Sequence, residues 1–161
     1  MLTKNGEELQ LGDFGLSQVQ AHTAKTMQTV EPNGFPAYLA PELLQVPELD
    51  SKGQWGLKYN HKVDIWSCGA VLYELFHLAF MWFKRPHDQW LPGGVIQHLI
   101  RQRVLANQHE EFAPDCPSAI KRFVLQCCDQ SPDRRPEASE LLEQATEIKQ
   151  MIETFKMQGP R

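Results

Sequence analysis

One apolar stretch, residues 62–83, constrains the fold of this chain more than any other feature. It reads KVDIWSCGAVLYELFHLAFMWF and places apolar residues on nearly every face of a helix. Asp64, Glu74 and His77 interrupt it, and a bilayer core penalises such side chains. A helix that is apolar all round lies inside the core of a soluble protein, so we predict one helix over the whole stretch, with neighbours on every side.

Four further helices are predicted around it. A short one is expected at APELLQV, residues 40–46, because a proline stands near its start. Others are predicted at residues 94–106, at residues 118–128 and from near Pro136, where apolar residues recur three and four apart. The three stripes are Val95, Ile96, Leu99 and Ile100; Ile120, Phe123, Val124 and Cys127; and Ala138, Leu141, Leu142, Ala145, Ile148, Ile152 and Phe155.

Strand signals are confined to the start of the chain. Residues 8–12 alternate with the period of a strand and follow an Asn-Gly pair typical of a hairpin turn. Residues 16–39 have no sustained period and predict a long loop, which in a compact domain is usually functional. Residues 47–61 predict an irregular connection, because proline and glycine interrupt them. With 161 residues, the chain has the length of one mainly helical domain.

Charge and cysteine content exclude several classes of protein. The net charge is −4 and lysine and arginine form no cluster, which argues against nucleic acid as a partner. We expect no signal peptide, because no basic segment followed by an apolar one opens the chain. Cys68, Cys116, Cys127 and Cys128 lack CxxC spacing, so we expect free thiols in a reducing compartment, cytoplasmic or nuclear.

Four short blocks follow one another in a fixed order. They are Asp13-Phe14-Gly15, Ala40-Pro41-Glu42, the group Asp64, Trp66, Ser67 and Gly69, and Arg135 with the proline after it. Each block alone has an ordinary interpretation, such as a turn carboxylate at Asp13 or a helix N-terminal charge at Asp64. Together they resemble the second half of a eukaryotic protein kinase of the serine/threonine type, in which D-F-G and A-P-E bound one segment. The resemblance spans nearly the whole chain.

This resemblance implies a protein kinase-like α+β fold, of which this chain is the mainly helical C-terminal lobe. Residues 1–157 would form a partial kinase domain with one residual hairpin strand and a long activation loop, and residues 158–161 a tail. In the family a Gly-rich loop, a V-A-I-K lysine and an H-R-D-x-x-x-x-N catalytic loop precede D-F-G, and this sequence contains none of them. We therefore expect a truncated domain with no activity by itself, marginal stability and an uncovered apolar face.

The D-F-G block carries the cofactor expectation. In kinases its aspartate holds Mg²⁺ against the nucleotide phosphates, so the resemblance assigns Asp13 to the metal and Phe14 and Gly15 to the nucleotide site. A carboxylate suits a hard cation, and Gly15 lets the backbone move. ATP and Mg²⁺ are thus expected in the complete parent protein, with no cofactor bound by this chain alone.

Residues 16–39 resemble the activation segment. Its residues of interest are Ser17, Thr23, Thr26, Thr29, Gly34, Phe35 and Tyr38. A phosphate at Thr26 or Thr29 would order the segment by pairing with arginine, unless all its hydroxyls are plain loop groups. Phe35 stands where serine/threonine kinases usually carry a threonine whose hydroxyl meets the catalytic aspartate. This departure predicts weak activity, an unusual substrate choice or a pseudokinase.

The remaining matched residues have structural roles in the family. They are Ala40, Pro41, Glu42, Asp64, Trp66, Gly69 and Arg135. Glu42 and Arg135 resemble a buried ion pair that clamps the A-P-E block to the last helices. Asp64 resembles a carboxylate that accepts N–H groups of the catalytic loop.

Three functions are compatible with these observations. The first is the lobe of a phosphotransferase that acts on a protein substrate. The second is a non-catalytic interaction module that binds a partner protein, with residues 94–106 and 118–128 as candidate docking faces. The third, an unrelated helical binding protein, requires the ordered blocks to be accidental. None of the three involves nucleic acid or a membrane.

Overall fold

The computed structural model describes residues 12, 14, 17–18, 26–29, 32–84 and 87–157. Its regular elements are β1 Met27–Thr29, α1 Pro41–Leu44, β2 Glu48–Leu49, β3 Trp55–Tyr59, α2 Lys62–His77, α3 Gly93–Leu105, α4 Ser118–Cys127 and α5 Ala138–Met157. Two 3₁₀ turns, Asp88–Trp90 and Pro132–Arg134, precede α3 and α5. The strand predicted at residues 8–12 lies outside the described residues, except for residue 12.

Helix α2 is the centre of the helical packing, but a strip along one side of it is left uncovered. Trp66 and Tyr73 belong to its buried face, which packs against α4. Val71 and Leu75 on the other side are 44% and 68% exposed. The predicted burial on every side is therefore wrong for this chain, and the uncovered apolar face expected from the resemblance is present.

Helix α2 ends at His77, six residues before the predicted end at Phe83. Leu78 adopts the left-handed conformation with φ of 49°, and its N–H donates to the carbonyl of Glu74 at 2.8 Å. The chain then turns so that Trp82 is fully buried and stacks on Trp66, with ring centroids 5.6 Å apart. The aromatic residues after Leu78 thus pack against α2 instead of continuing the helix. Helical periodicity in the sequence does not reveal this ending.

A small antiparallel sheet with strand order β1-β3-β2 corrects the prediction for two segments expected to be irregular. Gly53, with φ of 76°, lies in the turn between β2 and β3, where the Asp50 carboxylate accepts the N–H groups of Lys52 and Gln54, both at 2.8 Å. The Gln28 side chain of β1 lies close over Gly56, and a Cβ there would be 2.5 Å from it, so a larger residue would displace that side chain. Both glycines, which had suggested an irregular connection, are therefore part of the sheet or of its turn.

The other helices match their predictions to different degrees. Helix α4 is confirmed, with its entire predicted stripe buried. In α3, however, Ile100 and Val104 are the buried residues, while Val95 is 44% exposed. In α5, Leu141 is buried but Leu142 is 74% exposed, so the buried stripe is narrower than predicted.

A buried ion pair, not predicted from the sequence, fixes the chain between α2 and α3. Asp88 is 2% exposed. Its carboxylate accepts hydrogen bonds from both terminal nitrogens of Arg103 and, at 2.7 Å, from the backbone N–H of Lys84. The hydrogen bond from Arg103 lowers the pKa of Asp88 despite its burial. All four cysteines are free thiols, and no helix among the described residues is long and apolar enough to cross a bilayer.

The contact between α2 and α4 depends on Gly69. A Cβ at this position would lie 2.6 Å from the Cβ of Cys127 and 2.9 Å from the Sγ of Cys128. We expect Gly69→Ala to lower the free energy of unfolding by about 1–3 kcal/mol through overpacking, against about 1 kcal/mol gained in helix propensity. Urea unfolding measures the difference.

Gly94→Ala is the matched control, because a Cβ there meets no atom within 4 Å. It is expected to be neutral or to stabilise by about 0.4–1 kcal/mol. Equal stability of the two alanine variants would contradict the close approach of the helices.

Candidate functional site

The D-F-G block is only partly described. Phe14 is 67% exposed, and its carbonyl accepts the N–H of Ser17 at 3.0 Å. Asp13, Gly15 and Thr23 lie outside the described residues. Within the described part of the chain, no three His, Cys, Asp or Glu side chains converge where a metal ion could sit. The assignment of Asp13 to magnesium therefore stays a prediction.

Residues 34–39 form a compact turn that ends at the buried Ala40. Gly34 has φ of 132°, a conformation that side chains rarely adopt. After it, the carbonyl of Phe35 accepts the N–H of Tyr38 at 3.0 Å. Ala40 is fully buried, so the turn is fixed to the core at its far end.

The unusual Phe35 is packed and not projecting into solvent. Its ring centroid lies 5.3 Å from that of Phe80 and 6.3 Å from that of Tyr38. Tyr38 and Phe80 are themselves in T-shaped contact at 5.8 Å. We call Phe35, Tyr38 and Phe80 the aromatic cluster; it joins the turn at residues 34–39 to the chain just after α2.

Polar contacts attach the same turn to α2. The Tyr38 hydroxyl donates to Oε2 of Glu74 at 2.5 Å, and the Ser67 hydroxyl donates to the Tyr38 carbonyl at 2.8 Å. Burial, followed by the contact with Glu74, raises the pKa of Tyr38 to about 12. The Tyr38 hydroxyl is therefore protonated at neutral pH and hydrogen-bonded to α2.

Glu42 and Arg135 form the ion pair that the resemblance implied. Arg135 is 2% exposed and donates to both oxygens of Glu42, at 2.7 and 2.8 Å. Its remaining donors reach the carbonyls of Asp129 at 2.9 Å and Lys62 at 3.1 Å. The guanidinium also lies 5.1 Å from the ring of Trp66. This one side chain therefore connects α1, the start of α2 and the turn before α5.

Lys62 completes the connection and was not singled out in the sequence. It is 7% exposed, and its Nζ donates to the Arg135 carbonyl and pairs with Oε1 of Glu137, both at 2.7 Å. A lysine at the start of an apolar helix normally indicates the solvent side, so the pattern gave no signal for burial.

Asp64 lies at the exposed N-terminal end of α2, where the helix dipole favours a carboxylate. It borders a cleft of about 340 Å³, the α2 cleft, between α2 and the predicted activation segment. Thr29 of β1 lines this cleft and is half-buried, whereas Thr26 is exposed just before the strand.

A second cleft, of about 390 Å³, adjoins the α2 cleft and shares Pro32, Asn33, Leu39 and Leu43 with its lining. We call it the α1–α3 cleft, because α1 and α3 contribute to its walls. Its apolar lining consists of Pro32, Pro36, Leu39, Leu43, Leu44, Pro47 and Leu57. Among the described residues, Arg101 of α3 is the one charged residue of the lining; its Nε donates to the Leu44 carbonyl at 2.8 Å and its Nη2 to the Gln45 carbonyl at 3.3 Å.

Comparison with known proteins agrees with this arrangement. Residues 1–145 match the family model described as protein kinase domain. Serine/threonine-protein kinase Nek5 of Homo sapiens is 33% identical over 144 residues, which are 88% of this chain and 17% of that protein. Nek8 of Danio rerio is 28% identical over 156 residues, 96% of this chain and 19% of the relative.

A third relative, serine/threonine-protein kinase fray1 of Dictyostelium discoideum, is 32% identical over 136 residues, 84% of this chain and 21% of that protein. The chain thus spans about a fifth or less of the length of these relatives. Its helices and small sheet are consistent with a kinase-like fold. With the family match covering most of its length, the chain belongs to the protein kinase family.

Proposed function

We propose that this chain is the C-terminal lobe of a serine/threonine protein kinase and that it holds the protein substrate during phosphoryl transfer from ATP. The observation that carries the proposal is the buried pair of Glu42 and Arg135, which fixes the A-P-E block against the helices. The activation segment is thereby held between two clefts that are large enough to take side chains of a peptide.

Phosphoryl transfer depends on positioning and charge stabilisation by several groups at once. In this chain, the turn at residues 34–39 and the walls of the clefts would orient the substrate. Asp13 would hold Mg²⁺, which supplies positive charge to the phosphates when bound. The lysine that anchors the phosphates and the aspartate that accepts the substrate proton have no counterpart in the 161 residues. We therefore propose that the chain transfers no phosphate by itself.

A transfer assay tests this proposal. The 161-residue chain, incubated with labelled ATP, Mg²⁺ and a generic protein substrate, is expected to give no incorporation above the background without enzyme. The transcript read in frame upstream of Met1 is expected to encode the catalytic loop, and a chain that includes it is expected to transfer phosphate. In that longer chain, Asp13→Ala should abolish transfer, since the magnesium ligand is lost.

Magnesium-dependent phosphorylation by the 161-residue chain itself would contradict the proposal.

A second function, a pseudokinase-like module that binds a partner protein, is favoured by Phe35, which has no hydroxyl and is held in the aromatic cluster. Absence of transfer by the longer chain, with its fold intact, would support that function instead.

A further inference from the structure

We propose that the β2–β3 hairpin is a docking element for the predicted activation segment: β3 holds β1 beside the α2 cleft, and β1 leaves β3 as a unit that opens the cleft without unfolding the chain. The inference rests on the proposed function in one respect, namely that residues 27–29 belong to the activation segment. It is carried by the antiparallel pairing of β1 with β3, which joins this part of the segment to the hairpin between α1 and α2.

Strand β1 is attached to β3 along its full length. The three facing pairs are Met27 with Tyr59, Gln28 with Lys58, and Thr29 with Leu57. The Gln28 side chain also extends over Gly56, and its Nε2 donates to the Gln54 carbonyl at 3.4 Å. All of these contacts are made by unmodified residues, so the hairpin orders this part of the segment without a phosphate.

A second attachment brings residue 18 to the same strand. The Tyr59 hydroxyl donates to Oε1 of Gln18 at 2.7 Å. Burial, followed by the nearby Asp64 carboxylate, raises the pKa of Tyr59, so the hydroxyl keeps its proton and remains a donor at neutral pH. Strand β3 therefore contacts the predicted activation segment at two places that are separated in the sequence.

The attached strand forms part of the wall of the α2 cleft. The lining from β1 consists of Met27 and Thr29, and the lining from α2 includes Val63 and Ser67. When β1 leaves β3, its two side chains are withdrawn, and solvent reaches the side chains of α2 from that side. The position of β1 thus determines access to this face of α2.

The sheet favours release of β1 alone. This strand is three residues long, half-buried and at the edge of the described sheet, where β3 is its one neighbouring strand. In contrast, β3 contacts α1 and contributes the buried Leu57 to the packing. A short edge strand opens at a lower free energy than elements fixed to the core. We therefore expect β1 to open while the hairpin and the helices stay folded.

Hydrogen exchange of backbone amides, followed by nuclear magnetic resonance on the whole chain, tests the inference. Facing side chains of an antiparallel pair lie on the same side of the sheet, so Gln28→Lys places a like charge opposite Lys58 and Gln28→Glu an opposite charge. In the unsubstituted chain, the amides of residues 27–29 are expected to exchange faster than those of α4, which report global unfolding. Their exchange should be about twofold to fivefold faster in Gln28→Lys than in Gln28→Glu. This difference should shrink at about 0.5 M salt.

Further variants separate the facing pair from other effects of the substitution. Both Gln28 variants lose the same amide group, and the Asp50 carboxylate near Lys58 is common to them. With Lys58→Glu in the background, the order of the two variants should reverse. Gln102→Lys and Gln102→Glu, at an exposed position of α3, are the matched controls and should leave the exchange of β1 unchanged. Between the two Gln28 variants, the amide signals of Val63 and Ser67 should shift, because the wall of the cleft is occupied to different extents.

Equal exchange of residues 27–29 in the two Gln28 variants would overturn the inference. Exchange of these residues as slow as that of α4 would also overturn it, since β1 would then open only with the whole chain. Unchanged signals of Val63 and Ser67 would rule out the link to the cleft. These results are independent of the transfer assay, because exchange is measured without ATP. A failed inference about the hairpin is thereby distinguished from a failed assignment of kinase function.

Discussion

Replacing Arg135 with alanine is expected to lower the free energy of unfolding by about 3–5 kcal/mol. The substitution removes both hydrogen bonds to Glu42 and leaves that carboxylate without its cation. It also removes the Arg135 hydrogen bonds to the carbonyls of Asp129 and Lys62 and opens a void beside Trp66. A buried ion pair that loses one partner costs far more than the pair contributes, because desolvation of the remaining charge is no longer offset.

Arg134→Ala is the matched control, since the neighbouring arginine has a side chain that is 69% exposed. It pairs with Asp129 at the surface, where an ion pair contributes about 0–1 kcal/mol. Urea unfolding followed by circular dichroism compares the two variants with the unsubstituted chain. Equal midpoints for Arg135→Ala and Arg134→Ala would rule out the clamp as a source of stability.

Replacing Trp82 with alanine is expected to cost about 3–5 kcal/mol of the free energy of unfolding. The indole is fully buried, nearly parallel to Trp66 with an interplanar angle of 4°, and in contact with His109 at a centroid distance of 5.9 Å. Its removal leaves a cavity at the point where the chain folds back after α2. The loss is dominated by packing, because the Trp82 Nε1 has no hydrogen-bond partner among the described residues.

Trp90→Ala provides the comparison for the same change of residue type. Trp90 is 83% exposed, so its loss is expected to change stability by less than about 0.5 kcal/mol. Thermal unfolding at one protein concentration is sufficient to compare the two variants. A similar melting temperature for both would show that the segment after α2 does not pack against Trp66 in solution.

Local patterns predicted those elements in which the buried face follows the helical period. Helices α1 and α4 were predicted from a proline near the helix start and from one clear stripe. The end of α2 was predicted wrongly. Leu78 takes the left-handed conformation that a glycine usually signals, and the aromatic residues after it continue the apolar pattern of the helix. Strands β2 and β3 were not predicted because Gly53 and Gly56 suggested an irregular segment. In a sequence, a glycine that serves a turn or a close approach cannot be distinguished from one that interrupts a strand.

Contacts between residues far apart in the chain could not be predicted from local patterns. The pairing of Glu42 with Arg135 was available only through the resemblance, because nothing local links two residues so far apart in the chain. The burial of Lys62 and the contact of Phe35 with Phe80 had no signal at all. Sequence reasoning identified Phe35 as a departure from the family pattern, and only the fold shows that its ring fills a space beside α2.

The attachment of residues 34–39 to α2 fixes the last part of the predicted activation segment. Tyr38 is held through its hydroxyl and its carbonyl, and Phe35 through its ring, all by residues on or just after one helix. Burial and the contact with Glu74 raise the pKa of Tyr38 to about 12, so its hydroxyl keeps its proton at physiological pH. A rearrangement that preserves these contacts would have its boundary at Gly34, where the backbone takes a conformation available mainly to glycine. A change of conformation before Gly34 would then leave in place the wall that Pro36 and Leu39 contribute to the α1–α3 cleft.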